Sequence, residues 1–236
     1  MGSLVNMTYL QLAQKLVEKC GISGNGPTTV VGQTGELKRV VGWINEAYLQ
    51  IQEMRPNWSW MTGNVSFTTV AQQATYTPAQ CGIADFAEWK LSSRECTFRS
   101  SVTSVGFGSE IFMNYIDYEA WRNYYQYGNL RTSYGRPLFV AVTPDKSLGF
   151  GLVPDSVGYT IVGEYFKAPT ELLLDADVPL LPGRFHMLIV YLAMTYYGAY
   201  ENAPDAASEG QRMYASMLRR LNQDQLPEMI FGGPLG

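Results

Sequence analysis

The apolar residues of this chain change period twice, and that change limits the fold more than any single motif. Near the amino terminus Tyr9, Leu12, Ala13, Leu16 and Val17 recur at helical spacing, with Thr8 and Gln11 placed as a capping box and Gly21 just past the end. The spacing predicts a first helix over Thr8–Cys20. A Gly-rich linker follows, Gly21 to Gly35, and then Leu37, Val40, Val41, Ile44, Tyr48 and Ile51 repeat the pattern until Pro56 stops it. A second helix is expected over about Glu36–Met54. Beyond it the period drops to two: Val65, Phe67 and Thr69 alternate, and Tyr76, Trp89 with Leu91, Thr97 to Val105 and Ile111 to Ile116 form short runs between turn residues. Asp117 is placed to cap a short helix, Tyr118 to Tyr125. Leu138 to Val142 and Leu148 to Leu152 flank Thr143-Pro144-Asp145-Lys146-Ser147 as a hairpin would, and Tyr159 to Phe166 adds a strand. Low charge on both faces of these runs predicts a sheet buried on both sides.

Helical spacing returns with Phe185, Leu188, Ile189, Leu192 and Tyr196, and Pro182 suits a first helical position because its missing N–H is not needed there. The third helix is expected over about Gly183–Tyr200. Asp205 is read as the cap of a fourth, about Ala206–Asn222, with Ala207, Tyr214, Met217, Leu218 and Leu221 on one face. Arg219 and Arg220 lie near its carboxyl end, where cations suit the helix dipole. Helices at both ends around a strand-rich middle give an α+β fold, a helical bundle formed by the N- and C-terminal helices with a long β-rich insertion between helix two and helix three. Residues 1–60 with 180–225 are expected as the discontinuous bundle and 61–179 as the insertion. The last stretch, 226–236, is apolar yet cannot be helical past Pro227, and reads as an extended docking tail.

Charge and chemistry narrow the function. Seventeen Lys and Arg against twenty-one Asp and Glu leave a net charge of −4 with no basic stripe, which argues against a grip on phosphate backbones. Charged residues make up 16% of the chain, against about a quarter in an ordinary globular protein, while Tyr alone occupies sixteen positions. A charge-poor, aromatic-rich surface is what interfaces look like. No membrane span is expected, because the longest uncharged stretch, Phe185 to Tyr200, falls short of the roughly 20 apolar residues a bilayer needs and reads as a core helix. No export signal is expected either.

Catalysis finds little footing. The one histidine, His186, sits beside the apolar stripe of the third helix with no nucleophile motif, and reads as a local hydrogen-bonding residue. Cys20, Cys81 and Cys96 are dispersed and offer neither metal nor redox spacing. Asp175 and Asp177 fit turn roles better than calcium ligation. No catalytic residue, cofactor or metal is expected. Arg-Pro-Asn-Trp58-Ser-Trp60-Met reads as a hydrophobic hinge where bundle and insertion join.

Several features in order along the chain resemble the head-to-tail adaptor, or connector, family of tailed bacteriophages. An early helix pair, with Ile44-Asn45-Glu46-Ala47-Tyr48-Leu49-Gln50-Ile51, ends in the aromatic segment Trp58-Ser59-Trp60-Met61 before the β insertion. Gly135-Arg136-Pro137, Thr143-Pro144-Asp145, Tyr165-Phe166-Lys167-Ala168-Pro169, Asp175-Ala176-Asp177-Val178-Pro179-Leu180-Leu181-Pro182 and Phe185-His186-Met187-Leu188-Ile189-Val190 are similar to that family's pattern. The resemblance implies a non-catalytic structural virion protein in the neck, made in the host bacterial cytoplasm. It implies a ring, a dodecamer in keeping with the portal, with the portal protein above and a tail or nozzle protein below. Genomic DNA would pass through without sequence-specific binding. On this reading Met229, Ile230 and Phe231, with Arg219 and Arg220, meet the portal or a neighbouring subunit. The alternative is a β-rich tail or baseplate module that binds host carbohydrate through Tyr and Trp.

Overall fold

The computed structural model describes residues 6–55, 57–92 and 96–225. In chain order the elements are α1 (Tyr9–Cys20), α2 (Gly35–Glu53), β1 (Thr62–Thr68), β2 (Thr75–Tyr76), β3 (Phe86–Trp89), β4 (Arg99–Val102), β5 (Ile111–Phe112), β6 (Asn114–Tyr115), α3 (Tyr118–Trp121), β7 (Phe139–Val142), β8 (Leu148–Gly151), β9 (Tyr159–Lys167), α4 (Met187–Tyr200) and α5 (Pro204–Gln225). The class is α+β. Two compact units divide the chain: residues up to Met61 and from Pro169 onward form one, Thr62–Ala168 the other. Residues 169–179, expected with the insertion, therefore group with the helices, and side-chain hydrogen bonds described below are the reason.

In the helical unit, α1 starts as its sequence dictates. The Thr8 backbone N–H donates to Gln11 Oε1 at 2.9 Å while Gln11 N–H donates to Thr8 Oγ1 at 3.4 Å, the reciprocal capping box. Gly21 ends the helix in the left-handed region at φ 64°, which glycine adopts without a Cβ penalty. Helix α4 is buried nearly all round, with Leu188, Ile189, Val190, Tyr191, Leu192, Ala193 and Met194 all inside, because α1, α2 and α5 each pack against it. Its contact with α5 is tight: a Cβ at Gly198 would lie 2.6 Å from the Ala207 Cβ. The helix is preceded by a 3-10 turn, Gly183–Phe185, so Pro182 stands just before the turn rather than at the first position of an α-helix. The proline rule operates one helix later, where Pro204 opens α5, and Asp205 lies in its first turn instead of capping it. Trp58 and Trp60 stack with ring centroids 6.2 Å apart and belong to this unit; Trp58 Nε1 donates to the Ile51 carbonyl at 2.9 Å.

In the other unit β9 is the central strand of a five-stranded antiparallel sheet. It pairs with β1 along one edge and with β3 and β4 along the other, and β5 extends β4. A four-stranded sheet runs β2-β8-β7-β6, antiparallel except for the β6–β7 pair. The β7–β8 hairpin is closed by Asp145, whose carboxylate accepts from Thr143 Oγ1 at 2.5 Å and Ser147 Oγ at 2.7 Å; these bonds hold its pKa below the usual carboxylate range. Val65, Tyr76, Trp89, Phe98, Val140, Leu148, Phe150, Ile161 and Tyr165 form one core drawn from both sheets.

The expectation of burial on both faces holds at strand β8 and not for either sheet as a whole. Strand β8 is buried at all four positions, but on β1 Asn64, Ser66 and Thr68 are exposed. Low charge there reflects uncharged polar side chains facing water. The outer face of β8 is covered by the short helix and the π-helical turn that continues it, Arg122–Gln126. Trp121 and Tyr125 lie on Gly149 and Gly151, where a Cβ at Gly149 would come within 2.6 Å of the indole. Glycines at alternate strand positions make the recess that the rings fill.

Candidate interaction surfaces

The motifs that mark the sequence serve mainly as internal fastenings. Arg136, centre of Gly135-Arg136-Pro137, donates to Ser100 Oγ at 3.1 Å and to the Ser100 and Ser109 carbonyls, tying β4 to the turn after it. His186 is 1% exposed; its Nδ1 accepts from the Met7 N–H at 2.9 Å, which leaves Nε2 to donate to the Leu181 carbonyl at 2.8 Å. Burial lowers its pKa from the ordinary value, so the ring is neutral and both nitrogens are engaged. The bond to Leu181, five residues away, is the local role read from the sequence; the bond to Met7 reaches to the segment before α1 and is not local. Burial also pushes the Cys20 and Cys81 thiols up to about 12. Among the described residues no three His, Cys, Asp or Glu side chains group closely enough to hold a metal ion, and no helix is long and apolar enough to cross a membrane.

Apolar residues left on the surface concentrate in a few places. The first is the strap formed by residues 169–181, where Leu173 is 66% and Leu174 61% exposed, with Val178 and Leu180 beside them. Val31 is also exposed, next in the chain to the Val30 amide that Asp175 holds. The strap is pinned from beneath at every turn. Gln52 Oε1 accepts from Thr170 N–H at 3.1 Å, Asn45 Oδ1 from Leu172 N–H at 2.9 Å, and the Tyr48 hydroxyl oxygen from Leu180 N–H at 3.0 Å. Asp175 Oδ1 accepts from Val30 N–H at 2.6 Å and Thr29 Oγ1 at 3.1 Å. Asp177 Oδ2 accepts from the Leu173 and Leu174 amides at 2.7 and 2.8 Å, which lowers its pKa. The strap's carbonyls at Asp177 and Asp175 in turn take the first amides of α1, Tyr9 and Leu10. Asp177 thus has the turn role expected of it, whereas the Asp175 carboxylate ties the strap to the loop between α1 and α2; together they hold a row of leucines outward.

The second place is an aromatic cluster between α2 and α4. Trp43 meets Tyr197 edge-on at 6.0 Å and Tyr200 at 5.7 Å, and the Arg39 guanidinium sits 4.6 Å over the Tyr200 ring, which is 56% exposed. Burial raises the Tyr197 pKa, with Cys20, Glu201 and Glu36 adding to it in that order. In the β unit, Val70, Val105, Phe107 and Val157 form a third apolar surface at one end of the sheet, on loops joined by the Thr69 N–H to Tyr159 carbonyl bond at 2.8 Å and the Thr103 N–H to Gly158 carbonyl bond at 3.1 Å.

The basic pair expected at an interface divides. Arg219 and Arg220 are both exposed on α5, but Arg219 Nε turns back to the Ala215 carbonyl at 3.3 Å, while Arg220 lines a shallow cavity with Arg184, Phe185, Met217, Gln223 and Asp224. Arg184 is ion-paired with Asp224 there and lies 5.0 Å over the Phe185 ring. Met229, Ile230 and Phe231 lie outside the described residues. The strap was missed in the sequence although Leu172-Leu173-Leu174 was visible as an apolar run between two acids. The aromatic cluster left no local signal, since its members come from helices far apart in the chain.

No curated protein matches the chain. The family model described as SU10 adaptor protein matches residues 7–234, a span that takes in both compact units and reaches through the apolar end of the chain. This agrees with the resemblance to head-to-tail adaptors carried by the order of the motifs, and favours it over the carbohydrate-binding alternative: the chain belongs to the SU10 adaptor protein family.

Proposed function

We propose that this chain is a structural subunit of a phage neck, an adaptor whose copies form a ring joining the portal to the tail and continuing the DNA channel. Its N- and C-terminal helices form the bundle that makes the body of the ring, and the β unit is the insertion between them. The observation that carries this reading is the family match along residues 7–234. The surfaces fit it: a ring subunit needs unlike docking faces on its two flanks as well as faces above and below. The pinned leucine strap, the aromatic cluster and the apolar loops of the β unit are docking faces of that kind.

On this account a ring, dodecameric like a portal, takes the portal protein on one side and a tail protein on the other. Met229, Ile230 and Phe231 anchor the end of the chain in a neighbouring subunit or the portal, and Arg220 with Arg219 lies near the last turn of α5, from which that segment departs. DNA passes without sequence-specific contact, in keeping with the net charge of −4. Immunogold labelling of purified virions with serum raised against the chain tests the placement. Label confined to the junction of capsid and tail is the expected result; label on the capsid shell or the tail tip overturns it.

A further inference from the structure

We propose that Asn25 is a self-modification site, at which the chain converts its own asparagine through a cyclic imide into aspartate and isoaspartate. The proposal is independent of the ring reading. Asparagine is chemically labile where the backbone nitrogen of the next residue can attack its side-chain amide carbon. That attack requires a following residue too small to block it, a backbone N–H that is not already donating, and a segment outside helix and strand whose main chain can rotate into place. The first condition selects one position: Asn25 is the one asparagine followed by glycine, whereas Asn45, Asn64, Asn114 and Asn129 precede Glu, Val, Tyr and Leu, whose side chains crowd the approach.

The structure supplies the other two. Ser23, Gly24 and Asn25 are exposed in the loop between α1 and α2. Among the described residues no hydrogen bond engages the Asn25 side chain or the Gly26 N–H. Asn45 shows the opposite case: it sits inside α2, and its Oδ1 is held by the Leu172 N–H at 2.9 Å. On either side of Asn25 the main chain is glycine, with φ 105° at Gly24 and 72° at Gly26, so rotation there meets no Cβ. The loop's fastenings flank the site and do not reach it. Ile22 N–H donates to the Val17 carbonyl at 3.1 Å on one side, and the Pro27 carbonyl accepts from Gln14 Nε2 at 3.0 Å on the other.

The step balances with water as the sole co-reactant. The Gly26 nitrogen yields its proton to hydroxide and bonds to Asn25 Cγ; the Cγ–Nδ2 bond breaks, and the side-chain nitrogen takes a proton from water and leaves as ammonia. Water then opens the five-membered imide. Addition at Cγ breaks the new bond and leaves aspartate with the main chain unchanged. Addition at the main-chain carbonyl carbon breaks the original peptide bond and leaves isoaspartate, whose main chain runs through Cβ and Cγ and is longer by one carbon. Either product adds one negative charge to a chain whose net charge is −4.

Peptide mapping of the full-length chain tests the site. The folded protein is held at mildly alkaline pH and body temperature, sampled over days and digested with trypsin, with a sample digested at the outset as background. The tryptic peptide Cys20–Lys38 contains Asn25 and no other asparagine. A synthetic peptide covering residues 21–30 runs alongside as the unfolded reference. The expected result is loss of half of the intact Cys20–Lys38 peptide within the interval in which the synthetic peptide loses half. Two products replace it, each with the mass of an amide exchanged for an acid, and isoaspartyl methyltransferase labels one of them. The loss quickens as pH rises, because the attacking nitrogen must shed its proton, and Asn25→Gln, whose imide would be a six-membered ring, keeps its peptide intact. A wild-type peptide that stays intact in the folded chain while the synthetic one converts overturns the proposal, since the fold then blocks the attack. Conversion without a methylatable product overturns it as well, and so does conversion of Asn25→Gln at the wild-type rate, which would place the change at Gln33.

Discussion

Replacing His186 with alanine removes an imidazole that bridges two backbone groups far apart in the chain, the Met7 N–H before α1 and the Leu181 carbonyl before α4. Both bonds are lost at once in a site that is 1% exposed. An orphaned buried donor or acceptor costs about 1–3 kcal/mol each, and the ring leaves a void besides, so the variant should lose about 3–5 kcal/mol of stability. Urea unfolding followed by far-ultraviolet circular dichroism reads this directly, since α1, α2, α4 and α5 all lie in the helical unit. His186→Asn, which retains a donor and an acceptor, should recover part of the loss. The same residue sets a pH dependence. Its folded pKa lies below the ordinary value near 6.5, so below that pH the unfolded chain takes up a proton that the native chain refuses. Stability therefore falls as pH drops below about 6.5, by at most ~1.4 kcal/mol per pH unit, and continues to fall until the lowered folded pKa is reached. Because the chain has one histidine, the decline between about pH 5.5 and 6.5 belongs to it, and His186→Ala should show none there. A wild-type chain equally stable at pH 7.5 and 5.5, or an alanine variant less than about 1 kcal/mol weaker, would refute the assignment.

Other perturbations follow from the same geometry. Gly149→Ala puts a Cβ 2.6 Å from the Trp121 indole and should destabilise the β unit by about 1–3 kcal/mol, visible as an earlier loss of Trp fluorescence in urea; an unchanged midpoint would mean that the ring moves aside freely. Asp175→Ala leaves the buried Val30 N–H without its acceptor and should cost about 1–2 kcal/mol while making the chain near Leu173 more susceptible to limited proteolysis. With thiol pKa values near 12, Cys20 and Cys81 should be less than about a thousandth ionised at pH 8, and an aromatic disulfide reagent should label them only after denaturant is added.

The elements built from local chemistry were legible in the sequence. Thr8, Gln11 and Gly21 bracket α1 where the capping pattern places it, and the polar turn around Asp145 joins β7 to β8 as expected. The start of α5 was read late because Asp205 looked like a cap, whereas Pro204 had already taken the first helical position, where its missing N–H costs nothing. What depends on distant partners was not legible. Nothing near β9 announces that three strands pair with it, and Gly149 gives no sign of the tryptophan it accommodates. Asp177 was rightly taken for a turn residue, but Asp175 ties the strap to Thr29 and Val30, and the strap's attachment to α2 with its leucines outward depends on Asn45, Tyr48 and Gln52, which the sequence places far away. Docking surfaces are hard to see in advance for a general reason: each is assembled from residues that periodicity assigns to different elements.

Native mass spectrometry of the purified chain mixed with the portal protein of its own phage tests the central claim most directly. The account predicts a complex of ring size, with as many copies of this chain as of portal. A chain that remains monomeric and indifferent to portal would contradict it.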